Sequence, residues 1–277
     1  MKRDVRSIAF TLLALVGFAA NSLLCRRALG FRLIDPVSFT AVRLLSGAAA
    51  LALILVLSRG MPRGGSWISA LALFAYAATF SASYARIGAG VGSILLFGSV
   101  QATMLSWGLV RGERPQPIQW FGIALALGGL ALLNVRGAQA PDSLGALLMI
   151  AAGISWGIYS LRGRGAKDPL PITAANFLRT LPMAALWMVL AAGSVRAKAA
   201  GVGLAVTSGA LASGGGYSLW YAALPSLTAT RAAAVQLSVP VLAASAAVLL
   251  LGESITERLL ISGAAILGGV WLAIRRR

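Results

Sequence analysis

The sequence is poorest in the residues that carry most enzyme chemistry. Histidine is absent, which excludes His-based nucleophile triads, His metal sites and His proton relays. A single cysteine, Cys25, excludes an internal disulfide and any multi-Cys metal site. Acidic residues number seven in 277, and charged residues of both signs make up only 11%, against about 25% in an ordinary soluble domain. Lysine occurs only at Lys2, Lys167 and Lys198, so the remaining 21 basic residues are arginine.

What is present is apolar. Hydrophobic residues are 58% of the chain, and mean hydropathy is +0.85. A soluble fold of this size cannot hide so much apolar side chain, so most of its solvent is lipid. Ten continuous apolar runs, each close to the ~20 residues that cross a hydrocarbon core, fall at 6–25, 36–57, 66–85, 89–110, 117–135, 143–161, 171–192, 201–222, 228–251 and 257–274. Breaks carry Gly, Pro or charge, as in Ser58-Arg59-Gly60-Met61-Pro62-Arg63 and Arg111-Gly112-Glu113-Arg114-Pro115. The runs are continuous rather than alternating, which argues against a β-barrel. The first run opens with Met1-Lys2-Arg3 but lacks a small-x-small cleavage site, and is read as a retained helix.

Net charge is +17. The basic residues stand in ones, twos and threes between apolar runs and form no continuous stripe, so no nucleic-acid partner is expected. They read instead as loop charges that orient a membrane protein. With ten spans both termini share one side. That side carries thirteen basic residues, in the two tails and at Arg59, Arg63, Arg111, Arg114, Arg162, Arg164 and Lys167. The other carries eight: Arg26, Arg27, Arg32, Arg86, Arg136, Arg196, Lys198 and Arg258. The bias favours cytoplasmic termini.

The chain also repeats itself. Tyr84-Ala85 and Tyr221-Ala222 each precede a small-residue apolar helix ending in Gly-Glu, at Gly112-Glu113 and Gly252-Glu253. Each Gly-Glu precedes a last helix with a double glycine, Gly128-Gly129 and Gly268-Gly269. Upstream, Ala41-Val42-Arg43-Leu44 echoes Asn176-Phe177-Leu178-Arg179. The repeats are residues 1–137 and 138–277. Five spans in each half is an odd number, so a second half of like fold enters the membrane from the opposite face.

These features, with Trp156-Gly157-Ile158-Tyr159 opening the second half, resemble the drug/metabolite transporter superfamily, EamA type, over the whole chain. Within it the sequence is similar to the YddG group of aromatic amino-acid exporters. The resemblance implies an all-α integral membrane fold of ten transmembrane helices, two inverted five-helix repeats around a central cavity lined by spans 1, 3, 4, 6, 8 and 9. It implies export of amino acids, with organic cations such as paraquat as further substrates. Asn21 fits the pattern. Phe18-Ala19 stands where the family has Trp-Gly, and Val100 stands at the first-half position matching Pro240.

Candidate lining residues follow from helical spacing and polarity. Tyr76, Thr79, Phe80 and Ser83 share a face of span 3, and Ser213, Tyr217 and Trp220 a face of span 8. Ser93, Phe97 and Gln101 lie four apart on span 4; Gln236 and Pro240 on span 9; Trp156, Tyr159 and Ser160 on span 6. These residues are expected to line an apolar, aromatic chamber with a few hydroxyls and amides, suited to an aromatic side chain by stacking or to an organic cation over ring faces, and the resemblance adds Asn21 to them. Amide or ring packing between helices is the competing role. Pro240 is the expected hinge. Arg43 and Arg179, about eight residues into their spans, read as anchors to headgroups or helix-end carbonyls, with contact to a substrate carboxylate as the alternative. The resemblance places that Arg outside the cavity.

No carboxylate sits mid-span, so transport is expected to be facilitative, with Glu113 and Glu253 as local caps or ion-pair partners. No metal, cofactor or obligate protein partner is expected; the partners are the bilayer and a small-molecule substrate. The expected function is a bacterial inner-membrane exporter of neutral, mainly aromatic or apolar amino acids, not an enzyme. The alternatives are a broad-specificity drug or metabolite exporter, a membrane-embedded transferase, for which seven scattered acids offer no clustered metal site, and a scaffold or sensor subunit.

Overall fold

The computed structural model describes residues 2–87, 89–134, 142–251 and 255–275. Gly88, Arg136, Gly252 and Glu253, which enter the sequence reading, lie outside the described residues. The described chain is helical throughout, apart from turns and one isolated bridge, Ile34 to Ala197.

Seven helices come first: α1 (Lys2–Gly30), α2 (Pro36–Leu57), α3 (Trp67–Tyr84), α4 (Ala89–Val110), α5 (Pro117–Asn134), α6 (Ser143–Gly163) and α7 (Pro169–Leu190). Their starts are written in local chemistry. Asp35, Ser66 and Asp142 cap α2, α3 and α6 by accepting from backbone N–H groups of the first turn, and proline opens α2, α5 and α7. The last helix is α12 (Glu257–Ile274), capped by Thr256. These eight helices are long and apolar enough to span a membrane.

The eighth and ninth apolar runs are not single α-helices. The eighth is α8 (Ala199–Thr207), a π-helical segment (Ser208–Gly215) and α9 (Gly216–Ala223). The wide turn sits where the chain crosses α2 most closely: a Cβ on Gly209 would lie 2.1 Å from the Arg43 carbonyl oxygen. The ninth run is α10 (Ala229–Gln236) and α11 (Val239–Leu251), parted at Leu237 and Ser238. Pro240 causes the break, because its ring has no N–H to continue the ladder. It sits in the first turn of α11, where no donor is needed.

α5 and α12 cross antiparallel. Gly122 lies against the Gly269 carbonyl, and Gly129 against the Ser262 carbonyl. A Cβ on Gly122 would stand 2.5 Å from the Gly269 oxygen, so only glycine permits this approach. α3 packs antiparallel on α6, tied by Ser83 Oγ to Gly145 O at 2.7 Å near one end and by Arg162 Nε to Ser69 Oγ at 2.8 Å near the other. α1 runs antiparallel to the eighth span, from the Ser7–Ser226 hydroxyl contact to the bond from Ser208 Oγ to Asn21 Oδ1.

The contacts sort the loops onto two sides. One holds the loops around Arg63, Glu113, Arg164 and Ser226 together with both described ends of the chain, α1 through Ser7 and α12 through the bond from Gln119 Nε2 to Ala273 O. The other holds the loop around Ile34 and Asp35, bridged to Arg196, and the Arg86–Asp142 pair at 3.5 Å. Large apolar side chains such as Leu12, Val16, Leu53, Leu186 and Leu249 point outward, a surface suited to lipid.

Candidate functional site

The centre of the molecule is aromatic. Trp156 of α6 lies 4.9 Å from Tyr76 of α3, 4.7 Å from Tyr217 of α9 and 5.1 Å from Phe18 of α1, between ring centroids. Phe18 also meets Trp220 edge-on at 5.5 Å, and Tyr76 meets Phe80 at 5.3 Å. Tyr159 extends the group to Tyr221 at 4.8 Å. Edge-on and tilted pairs of this kind are favourable beyond their buried area. All of these rings are buried.

Polar groups hold the rings in place. Trp156 Nε1 donates to Gln236 Oε1 at 2.6 Å, and Gln236 Nε2 donates to the Ala232 carbonyl at 2.9 Å, so α6 is tied to α10 just before the break. Gln101 Nε2 donates to the Ala233 carbonyl at 2.6 Å. Its Oε1 is buried with no hydrogen-bond partner, as is the Tyr159 hydroxyl. Trp220 Nε1 donates to Ser160 Oγ at 3.0 Å.

Of the residues singled out in the sequence, Tyr76, Phe80, Trp156, Tyr159, Tyr217 and Trp220 come together in this cluster, with Gln236 beside it and Gln101 of α4 bonded to the same stretch of α10. Ser213 accepts from Arg43. Asn21 stands about one turn beyond Phe18 on α1, accepting from Ser208 Oγ. Three residues stand outside the ring cluster. Thr79 donates to the Ala75 carbonyl of its own helix, and Ser83 joins α3 to α6. Phe97 is buried in the core without a ring contact among the described residues. Pro240 stands at the break in the ninth run.

Arg43 departs from the anchor reading. It is 1% exposed, not at the membrane edge. Its Nε donates to Ser213 Oγ at 2.9 Å and its Nη2 to the Tyr217 hydroxyl at 2.5 Å. The cause is the face on which it stands: Phe39, Arg43, Gly47, Leu51 and Leu55, four residues apart, are all buried against α7 and the eighth span. That spacing was the available signal. Arg179, its counterpart in the second half, is placed differently. It is partly exposed, donates to the Ala175 carbonyl at 3.0 Å, and lines a hollow of about 420 Å³ with Trp67 and Arg63. Phe18 and Tyr221 join the ring cluster and Phe177 meets Tyr217 at 6.0 Å, and none of the three was among the candidate lining residues.

The acids that form contacts among the described residues lie outside this centre. Glu113 accepts from Ala229 N at 2.7 Å, Thr230 N at 3.0 Å and Thr230 Oγ1 at 2.9 Å, and pairs with Arg164 at 3.3 Å. Partial burial pushes its pKa up, but the bonds from Thr230 and Ala229, with Arg164, outweigh it and hold the carboxyl below its ordinary value. Asp35 is likewise below its ordinary value: burial raises it, and bonds from Ser38, Arg196 and Val37 lower it further. Among the described residues no group of His, Cys, Asp and Glu could hold a metal ion.

Comparison with known proteins agrees with a membrane carrier. The EamA-like transporter family matches the chain twice, over residues 5–135 and 143–275. The uncharacterized protein PA1977 of Pseudomonas aeruginosa is 52% identical over 276 residues, covering 99% of this chain and 96% of that one. The uncharacterized transporter YwfM of Bacillus subtilis is 27% identical, over 80% of this chain and 78% of its own. The uncharacterized inner membrane transporter YedA of Escherichia coli K12 is 27% identical over 48% of this chain and 42% of its own. A crystal structure superposes with a TM-score of 0.80 over 97% of this chain and 96% of that chain at 19% identity, a likeness of fold. The chain is a multi-pass membrane protein and belongs to the EamA-like transporter family.

Proposed function

We propose that this protein exports neutral, mainly aromatic or apolar, amino acids across the bacterial inner membrane by alternating access, as the YddG group of its superfamily does. The observation that carries the reading is the buried aromatic cluster, to which α1, α3, α6 and α9 each contribute rings. A substrate side chain that replaces one ring contact with another stacks at little cost.

Two inverted five-helix repeats supply the motion. Three things support them. The family matches each half separately. α5 and α12, the last helix of each half, run antiparallel. Their contacts also exchange under the 140-residue offset: Gly129 becomes Gly269 and Ser262 becomes Gly122, turning one glycine–carbonyl contact into the other. In such a fold the substrate site lies where the halves meet, and the halves rock about it. The break at Leu237, Ser238 and Pro240 is the hinge. The basic bias puts both termini in the cytoplasm. Transport is facilitative, because Glu113 is occupied as a helix cap and the described carboxylates lie outside the aromatic centre.

The test is flux of labelled Phe, Trp, Met and Thr into liposomes holding the purified protein, with and without an imposed pH gradient. Saturable flux of Phe and Trp that ignores the gradient is expected. Accumulation that requires the gradient refutes facilitation, and absence of flux for every amino acid moves the function to drugs or other metabolites.

A further inference from the structure

Among the described residues the buried guanidinium of Arg43 has no counter-ion. An arginine does not shed its proton in a protein, so it is a charge wherever it is buried, and buried charges are paired. Each carboxylate that forms a charged or capping contact among the described residues is engaged elsewhere: Asp35 with α2 and Arg196, Glu113 with α10 and Arg164, Asp142 with Arg86, Asp168 with Arg63. Arg43 receives two hydroxyl oxygens and two ring faces, Tyr76 at 5.4 Å and Phe80 at 6.0 Å. Its Nη1 is buried with no acceptor in hydrogen-bond geometry, and the Tyr76 hydroxyl stands beside the guanidinium.

The unpartnered Nη1 belongs to a side chain that adjoins the aromatic cluster. Tyr217, which accepts from Nη2, is in ring contact with Trp156, Phe18 and Tyr76. The Tyr159 hydroxyl, also buried and unpartnered, belongs to a ring 6.3 Å from that of Tyr217. An anion with an apolar body satisfies both halves of this arrangement at once. The structure assigns Arg43 as the carboxylate site of the transport path: the substrate's carboxylate binds the guanidinium at Nη1 while its side chain stacks on Trp156 and Tyr76. This deepens the amino-acid reading and rests on it. It also narrows it. A fixed positive centre beside the rings repels permanent organic cations, so the paraquat-like alternative is disfavoured even though the rings alone suit a cation.

The test is competition against labelled Phe on the purified, full-length protein, with three analogues: 3-phenylpropionate, which keeps the carboxylate and lacks the amine; phenethylamine, which keeps the amine and lacks the carboxylate; and phenylalaninamide, in which the carboxylate is made neutral. In wild type, 3-phenylpropionate competes well. Phenethylamine and the amide are weaker by about 10- to 100-fold, the value of one buried charge-assisted hydrogen bond. Arg43→Gln removes that discrimination, and Arg179→Gln leaves it intact. The wild-type series decides the matter even if Arg43→Gln fails to fold. An amide that competes as well as Phe overturns the assignment and leaves the amino-acid reading standing. If labelled Phe does not bind, the amino-acid reading fails, and labelled 3-phenylpropionate is the probe. Binding that Arg43→Gln abolishes sustains the carboxylate site, and no binding overturns it.

Discussion

Glu113 offers the most quantitative handle on the architecture, because one carboxylate closes the joint between α4 and α10. It accepts two backbone N–H groups and one hydroxyl at the start of α10, and Arg164 at the end of α6 stands 3.3 Å away. Removing a helix-capping side chain costs about 0.5–2 kcal/mol, and a hydrogen bond to a charged group is worth about 1.5–3 kcal/mol. Water can reach part of this site, which lowers the sum, and the Arg164 pair adds less than about 1 kcal/mol. Glu113→Ala is therefore expected to destabilise by about 2–4 kcal/mol, and Glu113→Gln, which keeps one acceptor oxygen, by about half as much. The pH dependence has a fixed sign. A carboxyl whose folded pKa is depressed contributes stability that is fully present above its unfolded value, about 4.3, and is lost as pH falls through the lower folded value. The gap between wild type and Glu113→Gln should be flat above about pH 5.5 and shrink below about pH 4. Denaturant unfolding followed by tryptophan fluorescence at pH 7 and pH 4 measures both. A Glu113→Ala protein as stable as wild type at pH 7, or a gap that widens in acid, refutes the reasoning.

Three further outcomes follow from the packing. Gly269→Ala places a methyl 2.4 Å from the Gly122 carbonyl oxygen and is expected to cost about 1–3 kcal/mol, whereas Gly128→Ala, with no heavy atom within 4 Å, is neutral or stabilising; unfolding midpoints separate them. Trp156→Phe leaves Gln236 Oε1 unpaired and costs about 1–3 kcal/mol. Adding Gln236→Leu restores part of it, as a double-mutant cycle in unfolding free energy reads out. Pro240→Ala joins α10 to α11 and is expected to slow exchange several-fold with the half-saturation for Phe unchanged, because a hinge acts on the conformational step rather than on binding.

Much of the helix layout was legible in the chain. Apolar runs of membrane length, cut by Gly, Pro and charge, place α2, α4 and α12 at the observed residues and the other long helices within a few residues of theirs. The interruptions of the eighth and ninth runs were less legible. Hydropathy averages over a π-turn, and the widening at Ser208–Gly215 answers to α2 pressing on Gly209 from outside the segment. The aromatic centre was readable because Trp156 and Tyr217 lie deep in their helices, away from the interfacial belt, and Tyr76 and Trp220 share a face with other candidates at three- and four-residue spacing. The same rule picked Thr79 and Ser83, whose hydroxyls donate to a carbonyl on their own or a neighbouring helix, a bond that spacing does not reveal. Arg43 was misread because depth along a span says nothing about which face a side chain takes; the buried series Phe39, Arg43, Gly47, Leu51 carried that information.

The central claim, a facilitative carrier of aromatic amino acids, is tested most directly by counterflow. Proteoliposomes loaded with unlabelled Phe are diluted into labelled Phe, with any proton gradient collapsed by an ionophore. The account predicts a transient internal excess of label that decays as the Phe gradient dissipates, the signature of one site exposed alternately to two sides. Simple equilibration of label without an excess, or an excess that vanishes when the proton gradient is removed, contradicts it.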